Sequence, residues 1–589
     1  MYRFILFTLF LGISPFIYSQ SLNHTSIAQW SSAGLQSSFE SELYVNILDY
    51  GADPRGLVST NPALLLALEQ NKDKSFTILF PAGNYLFDQT ISIPSNCILK
   101  GEGNQLTTLT FDLKGSGQAI ILAGSSSGPI IEISEPIHLG SHKILLNEQH
   151  GLETGDWIWL QFNDSALMGS EWAYGLGGGL YQIRSTSSNE IVLTMPLRIE
   201  IAAELKPAIK KINPIKNTGI ECLKIERRDA TVEQTSNIFI QYAVNCRFVG
   251  IESNKTNFAH LDIRYSQHIL VRGCYFQDSH GFGGGGQGYG VVLQSGSGHC
   301  LIENNQFRKL RHSMLLQSGA NANVLAYNSS VEPFWTQTFL PADASGDMVC
   351  HGNYPYMNLF EGNIVQNIVV DASHGKNGPH NTFFRNRAMN YGILMSSGSG
   401  TDSTHFIANE IPNTGAIKGL YSLIGNGNIE SGNIVKGQII PVNCSEEWPS
   451  SLYRELVPGF WSDHQPWPSI GEISAYNIYQ TPSRINWLDY SFTDCRLNPE
   501  YTPIVSASTS TRSHPDELSV YPNPFNTEIK LELLNAEIKE VFVYDLRRGL
   551  ILNVKMTNQI SMTDVPAGIY IFRVMSSDGQ YYMKKVLKL

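Results

Sequence analysis

Nine short segments between residues 219 and 437 repeat one another: GIECLKIE, VNCRFVGI, VRGCYFQD, IENNQFRK, LAYNSSVE, FEGNIVQN, FRNRAMNY, IANEIPN and ESGNIVKG. Their shared position holds Cys222, Cys246 and Cys274, then Asn305, Asn328, Asn363, Asn386, Asn409 and Asn433. The asparagines recur every 23 or 24 residues, apart from one step of 35 that carries an insertion. One such unit cannot bury its apolar face alone, whereas stacked units share a continuous core. Rungs stacked about 4.8 Å apart let an asparagine column hydrogen-bond along the stack, leaving no buried amide unsatisfied. The repeat therefore predicts a β-solenoid, with the three cysteines as small fillers of the same column or as a pair.

A second column lies just upstream. GVVLQSGSG, SMLLQSGAN, DMVCHGNYP, NIVVDASHG and GILMSSGSG align at Gln294, Gln317, His351, Asp371 and Ser396. Strand alternation turns Leu293, Leu316, Cys350, Val370 and Met395 inward and the column outward. His351 and Asp371 then sit on adjacent rungs about 5 Å apart. A carboxylate beside a histidine fixes its tautomer and suits it to proton transfer near neutral pH. The late insertions add Trp335, Tyr354, His374, Lys376 and His380, with Arg311 and His312 below and Arg385 above. Cations and aromatics in one groove suit an acidic sugar, because rings stack on sugar faces and arginine pairs with carboxylate. Trp172 and Tyr174, in a Gly-rich loop, read as surface packing.

The remaining chain supplies the frame. MYRFILFTLFLGISPFIYSQ has the layout of a secretory signal peptide over residues 1–19, and no later run is long enough to span a bilayer. A net charge of −11 argues against nucleic-acid binding. Eight cysteines are too few for a disulfide scaffold, and without CxxC spacing they give a structural zinc site little support, though Cys444 and Cys495 could bridge. No cluster of oxygens marks a calcium site, so no cofactor is expected and Ca2+ is left without support. Residues 136–198 break the period with alternating strands and read as an inserted small β-subdomain. Residues 441–500, rich in Trp and Pro, read as a cap on the open end of the coil. A polar linker over 501–515 precedes short alternating strands over 516–589, a small β-sandwich.

Two family resemblances rest on quoted motifs. Asp49-Tyr50-Gly51-Ala52, a helix from about Asn61 to Glu69 and Phe80-Pro81-Ala82-Gly83-Asn84-Tyr85 resemble the opening of the pectate-lyase superfamily. That resemblance implies an all-β chain built on a right-handed parallel β-helix with an N-terminal helical cap, over residues 44–500. At the other end YPNP, PAGIY and KKVLKL resemble the type A sorting domain of the type IX secretion system of Bacteroidetes. This implies the type IX machinery as a partner and a secreted or cell-surface location.

Together these readings give an exported monomer acting on a polysaccharide. The NTD, DD, GHG and RIK motifs of polygalacturonases and the WIDH motif of calcium pectate lyases do not occur, and Asp371 has no second carboxylate in its column. A lyase acting on a uronate polysaccharide by β-elimination is therefore expected. His351 would be the base and Asp371 its orienting partner, with Arg311 or Lys376 neutralising the uronate and Tyr354 the acid. Gln294, Gln317, His312, Trp335, His374, His380 and Arg385 would bind substrate. A glycoside hydrolase and a non-catalytic glycan-binding surface protein are the alternatives.

Overall fold

The computed structural model describes residues 24–488 and 518–588, apart from 147–149, 337–339, 397–400, 443–447, 462–464, 473–475, 523–524, 534–536, 546–548, 556 and 578–580. The expected signal peptide, the linker 501–515, and Cys444 and Cys495 lie outside the described residues.

The repeat builds a parallel β-helix. A thirteen-stranded parallel sheet runs from Leu43–Asn46 to Ile429–Ser431. The other walls of the coil join in a second, larger sheet, parallel until Gln438–Ile440 folds back antiparallel on Asn433–Val435. The helix Asn61–Asn71 packs at the N-terminal end, starting one residue before Pro62, where a missing N–H is harmless. Inward side chains form one continuous apolar core, in which Phe383 stacks between Phe360 (4.5 Å) and Phe406 (5.1 Å) on the rungs to either side.

The asparagine column is a hydrogen-bonded ladder. The side-chain Oδ1 of Asn363 accepts both the backbone N–H (3.0 Å) and the Nδ2 (2.9 Å) of Asn328 below. Its own Nδ2 donates to Asn386 Oδ1 (2.9 Å) and to the carbonyl of Leu325 (2.8 Å). The pattern repeats through Asn305, Asn409 and Asn433, so every amide of this ladder is satisfied. Below Asn305 the sequence alignment had slipped. The pairing of Glu221 with Val249, Arg272 and Glu303 on successive rungs puts Leu223 and Ile251 in the column, not Cys222 and Cys246. Only Cys274 stands there, and its N–H donates to Asn305 Oδ1. The register slipped because apolar residues replace the asparagine in the early rungs, leaving nothing polar to align. All three cysteines are buried, and none is in a disulfide.

A second ladder, missed in the sequence, joins Asn323, Asn358 and Asn381 at 3.0 and 2.9 Å on another corner.

Three segments dress the coil. An antiparallel six-stranded sheet interrupts it, and its outer strands Ser125–Glu132 and Ala208–Asn213 reach beyond the expected 136–198 because they pair with each other. The Trp-rich segment does not simply close the open end. It runs back along one flank, where Gly471 N–H donates to Glu410, Ile470 O accepts from Arg385, Leu452 N–H donates to Glu361 and Arg454 donates to Glu303. Residues 24–39 form a strap along the coil. Trp30 Nε1 donates to Met357 O (2.7 Å), Gly34 N–H to His299 O (2.9 Å), and Gln36 N–H to Asn245 Oδ1 (2.9 Å).

Residues 518–588 have their own core in two antiparallel sheets, Leu518–Tyr521 with Glu528–Leu533 and Gln559–Ser561, and Ile538–Asp545 with Gly549–Lys555, Gly568–Ser576 and Tyr581–Lys588. The PAGIY motif closes on itself, Tyr570 OH donating to Pro566 O at 2.5 Å.

Asn363→Ala removes the acceptor of two fully buried donors and leaves a void, so it should destabilise the coil by about 3 kcal/mol, read by denaturant unfolding. Acid should also destabilise it. Burial holds His260, His268, His312 and His405 at about 3, against an ordinary 6.5. The unfolded chain then binds more protons between these values, so stability is complete above pH 6.5 and falls as pH drops toward 3. Buried Asp347, pushed up to about 7, and Glu361, also raised, act in the opposite sense and offset part of this. A melting temperature that declines steadily below pH 6.5 is expected.

Candidate functional site

The second column is built as the alternation requires. Leu293 pairs with Leu316, Leu316 with Cys350, Cys350 with Val370 and Val370 with Met395, all five in the core. The next residue on each rung faces away from it. His351 Nδ1 meets Asp371 Oδ2 at 2.7 Å, with side chains 12% and 13% exposed. The carboxylate accepts, so Nδ1 carries a proton, and whenever the ring is neutral its Nε2 offers a lone pair. Burial works to raise the Asp371 pKa, but the His351 hydrogen bond and charge, with the Ser373 N–H on Oδ1 (3.0 Å), hold it at about 2. It is a carboxylate at any physiological pH.

Two more imidazoles frame the pair. His374 stands edge-on to His351 at 4.9 Å, and His312 lies 5.6 Å away on the other side. His312 Nδ1 donates to Gly346 O (2.8 Å), which leaves its buried Nε2 as an acceptor with no hydrogen-bond partner. Burial first, then the charge of His351, keeps both His312 and His374 below the ordinary histidine range. Tyr289 packs on His312 (5.1 Å), and the Arg311 guanidinium lies 5.8 Å from the rings of Tyr289 and Trp335. Arg311 is anchored by Nη1 donating to Gly283 O.

The inserted sheet completes the wall, which the sequence did not reveal. Ser170 Oγ lies 3.1 Å from His374 Nδ1, and Trp172 meets the His374 ring edge-on at 5.5 Å. Trp172 is 52% exposed, so it is available to a ligand rather than used up in surface packing. Asn353 Oδ1 holds this loop by accepting the N–H groups of Gly169 (2.9 Å) and Ser170 (3.1 Å). A Cβ on Gly169 would come within 2.3 Å of His374 O, so the loops meet backbone to backbone and only glycine fits. The Gly-rich run around Trp172 was the one available signal.

Other expected site residues are placed elsewhere. Gln294 and Gln317 are buried, Gln317 Nε2 donating to Gln294 Oε1 (2.8 Å) and Gln294 Nε2 to Asp262 Oδ1 (2.7 Å). The insert covers the turns that follow them, at Gly296 and Gly319, and they are scaffold rather than substrate ligands. Arg385 makes five hydrogen bonds to the flanking segment, to Trp448, Pro449, Ile470 and Glu472, and is held there instead of facing a substrate. Tyr354 packs on Tyr356 and on a second apolar cluster, separate from the inward core of the coil, that includes Tyr181, Met357 and Leu359, and not on His351. His380 contacts His24 and His405. Lys376 is exposed on the loop after His374. Two buried carboxylates, Asp347 and Glu361, are committed to the scaffold as well. Asp347 accepts from Ser330 Oγ and two backbone N–H groups, and Glu361 from Tyr327 OH and Leu452 N–H.

Residues 44–134 match the family model described as rhamnogalacturonase A/epimerase, pectate lyase-like, and residues 519–588 match the secretion system C-terminal sorting domain. Residues 44–134 thus open the coil with a pectate-lyase-like segment, and residues 519–588 form a secretion sorting domain. No curated protein matches it. Among solved structures, the tailspike protein gp49 from Pseudomonas phage LKA1 is similar at 16% identity and a TM-score of 0.44, over 62% of this chain and 64% of that one. The tailspike of E. coli bacteriophage HK620, solved with a pentasaccharide, is 12% identical over 66% of this chain and 61% of its own, with a TM-score of 0.40. The Azotobacter vinelandii mannuronan C-5 epimerase AlgE6 A-module is 12% identical over 66% of this chain and 99% of its own, with a TM-score of 0.30. Among the described residues no helix is long and apolar enough to cross a membrane.

Asn353→Gly keeps the left-handed backbone of that position (φ 53°) but removes the amide that tethers the insert loop. Hydrogen exchange at the Gly169 and Ser170 amides should speed up by about tenfold or more, with the coil unchanged.

Proposed function

We propose that this groove is the active site of an exported polysaccharide lyase that cleaves a uronate-containing chain by β-elimination. The observation that carries the reading is the His351–Asp371 pair on adjacent rungs, framed by aromatic and cationic groups. His351 Nε2 takes the proton from the carbon next to the uronate carboxylate. The electron pair forms the new carbon–carbon double bond as the glycosidic oxygen leaves. The His351 imidazolium, stabilised by Asp371, returns a proton to that oxygen, so one residue serves both steps now that Tyr354 is packed away. Arg311 is the group for the uronate carboxylate, where charge builds as the proton departs. Lys376 can add to this from its exposed loop. Trp172 and Trp335 offer faces to the sugar rings.

A two-carboxylate hydrolase fits less well, because Asp347 and Glu361 are both engaged in the scaffold. The test is incubation with a panel of uronate polysaccharides, following the ultraviolet absorbance of the unsaturated product. Asp371→Asn should lower kcat by about 10²–10⁴-fold with little change in KM, since it loses tautomer control and imidazolium stabilisation but not binding. His351→Ala should abolish turnover. Reducing ends without unsaturated product would mean a hydrolase. Glycan binding without turnover, unchanged in both variants, would mean a binding protein.

A further inference from the structure

Three imidazoles from distant parts of the chain converge where the N-terminal strap reaches the upper rungs. His24 precedes the short helix Thr25–Ala28 of the strap. His380 lies just before the strand Thr382–Phe384, and His405 opens the strand His405–Ile407 on the next rung. His380 Nδ1 and His405 Nε2 are 3.2 Å apart, and one ring nitrogen from each of the three lies within 4.8 Å of the others. His24 stacks on His380 (4.5 Å) and on His405 (4.9 Å), and Trp30 closes against His24 at 5.5 Å.

The chemistry of this cluster is that of a ligand set. His405 is buried and His380 half-buried, and their facing nitrogens share a hydrogen bond whose proton a bound ion would displace. Two nitrogens on a tetrahedral zinc ion at 2.0–2.1 Å are separated by roughly 3.3 Å, close to the existing His380–His405 distance. The third nitrogen needs to move by about 1.5 Å on the same count, and the stacked rings must turn so that each lone pair points at the ion. Imidazole without thiolate or carboxylate suits zinc and its neighbours in the first row rather than calcium. His380 is only half-buried, which leaves a side open for water as a fourth ligand.

We propose that His24, His380 and His405 bind one divalent transition-metal ion, zinc foremost, which staples the N-terminal strap to the coil. The site is separate from the groove, where His351 has its own imidazole neighbours, and it does not depend on the lyase reading. The metal's function here is structural. It links residue 24 to rungs more than 350 residues away in sequence, and a cross-link that binds only the folded state stabilises it.

The test uses the full chain without an affinity tag, stripped with chelator and titrated calorimetrically with zinc chloride alone. One equivalent should bind, and His24→Gln and His380→Gln should each weaken binding by about tenfold or more. His374→Gln, in the groove, should retain it. Zinc should also slow hydrogen exchange over residues 24–35 in the wild type but not in His24→Gln, a surface-strap variant that leaves the coil's own strands intact. The proposal is overturned if the wild type takes up no stoichiometric zinc. It is equally overturned if His24→Gln and His380→Gln bind as the wild type does, or if only His374→Gln loses the ion.

Discussion

Satisfying polar groups inside a stack of rungs is the constraint on which this structure depends. A parallel coil repeats the same corner every 23 residues or so, and a buried amide at that corner has nowhere to turn but up and down the column. Asn328, Asn363, Asn386 and Asn409 each accept two hydrogen bonds and donate two, all within 3.1 Å. A single unmatched rung would leave buried donors unpaired at about 1–3 kcal/mol each. The ladder therefore fixes the register of the late rungs, and with it which residues stand side by side on the outer face. His351 meets Asp371 because Cys350 is locked opposite Val370.

The same rigidity explains how insertions can be functional without disturbing the coil. The antiparallel sheet of Ser125–Asn213 leaves the stack and returns to it, and its loop settles on glycine-lined turns of later rungs. There it buries Gln294 and Gln317 and supplies Ser170 and Trp172 to the groove. One insertion thus takes two residues out of the candidate site and adds two others. The strap and the Trp-rich flank act similarly along the coil, tying rungs together through Trp30, Arg385 and Arg454.

Much of the site's pairwise logic was legible in the sequence, because strand alternation and a fixed rung height are local rules. They located the His351–Asp371 contact and brought His374 and His312 near it. What failed were residues whose partners are remote in sequence. Arg385 read as a free cation because its four acceptors lie more than sixty residues away. Tyr354 and His380 followed the right strands but turned toward the second apolar cluster and toward His24.

By itself the sequence determined the coil, the asparagine ladder from Asn305 onward, the sorting domain and the adjacency of His351 and Asp371, since each follows from a period or a contiguous motif. The tertiary structure alone decided the register below Asn305, where apolar residues replace the asparagine and the period loses its marker. It also decided which surface the insert covers, where the flanking segment runs, and that His24 joins His380 and His405. Those contacts depend on the packing of segments whose separation along the chain follows no repeat, so no local rule could place them.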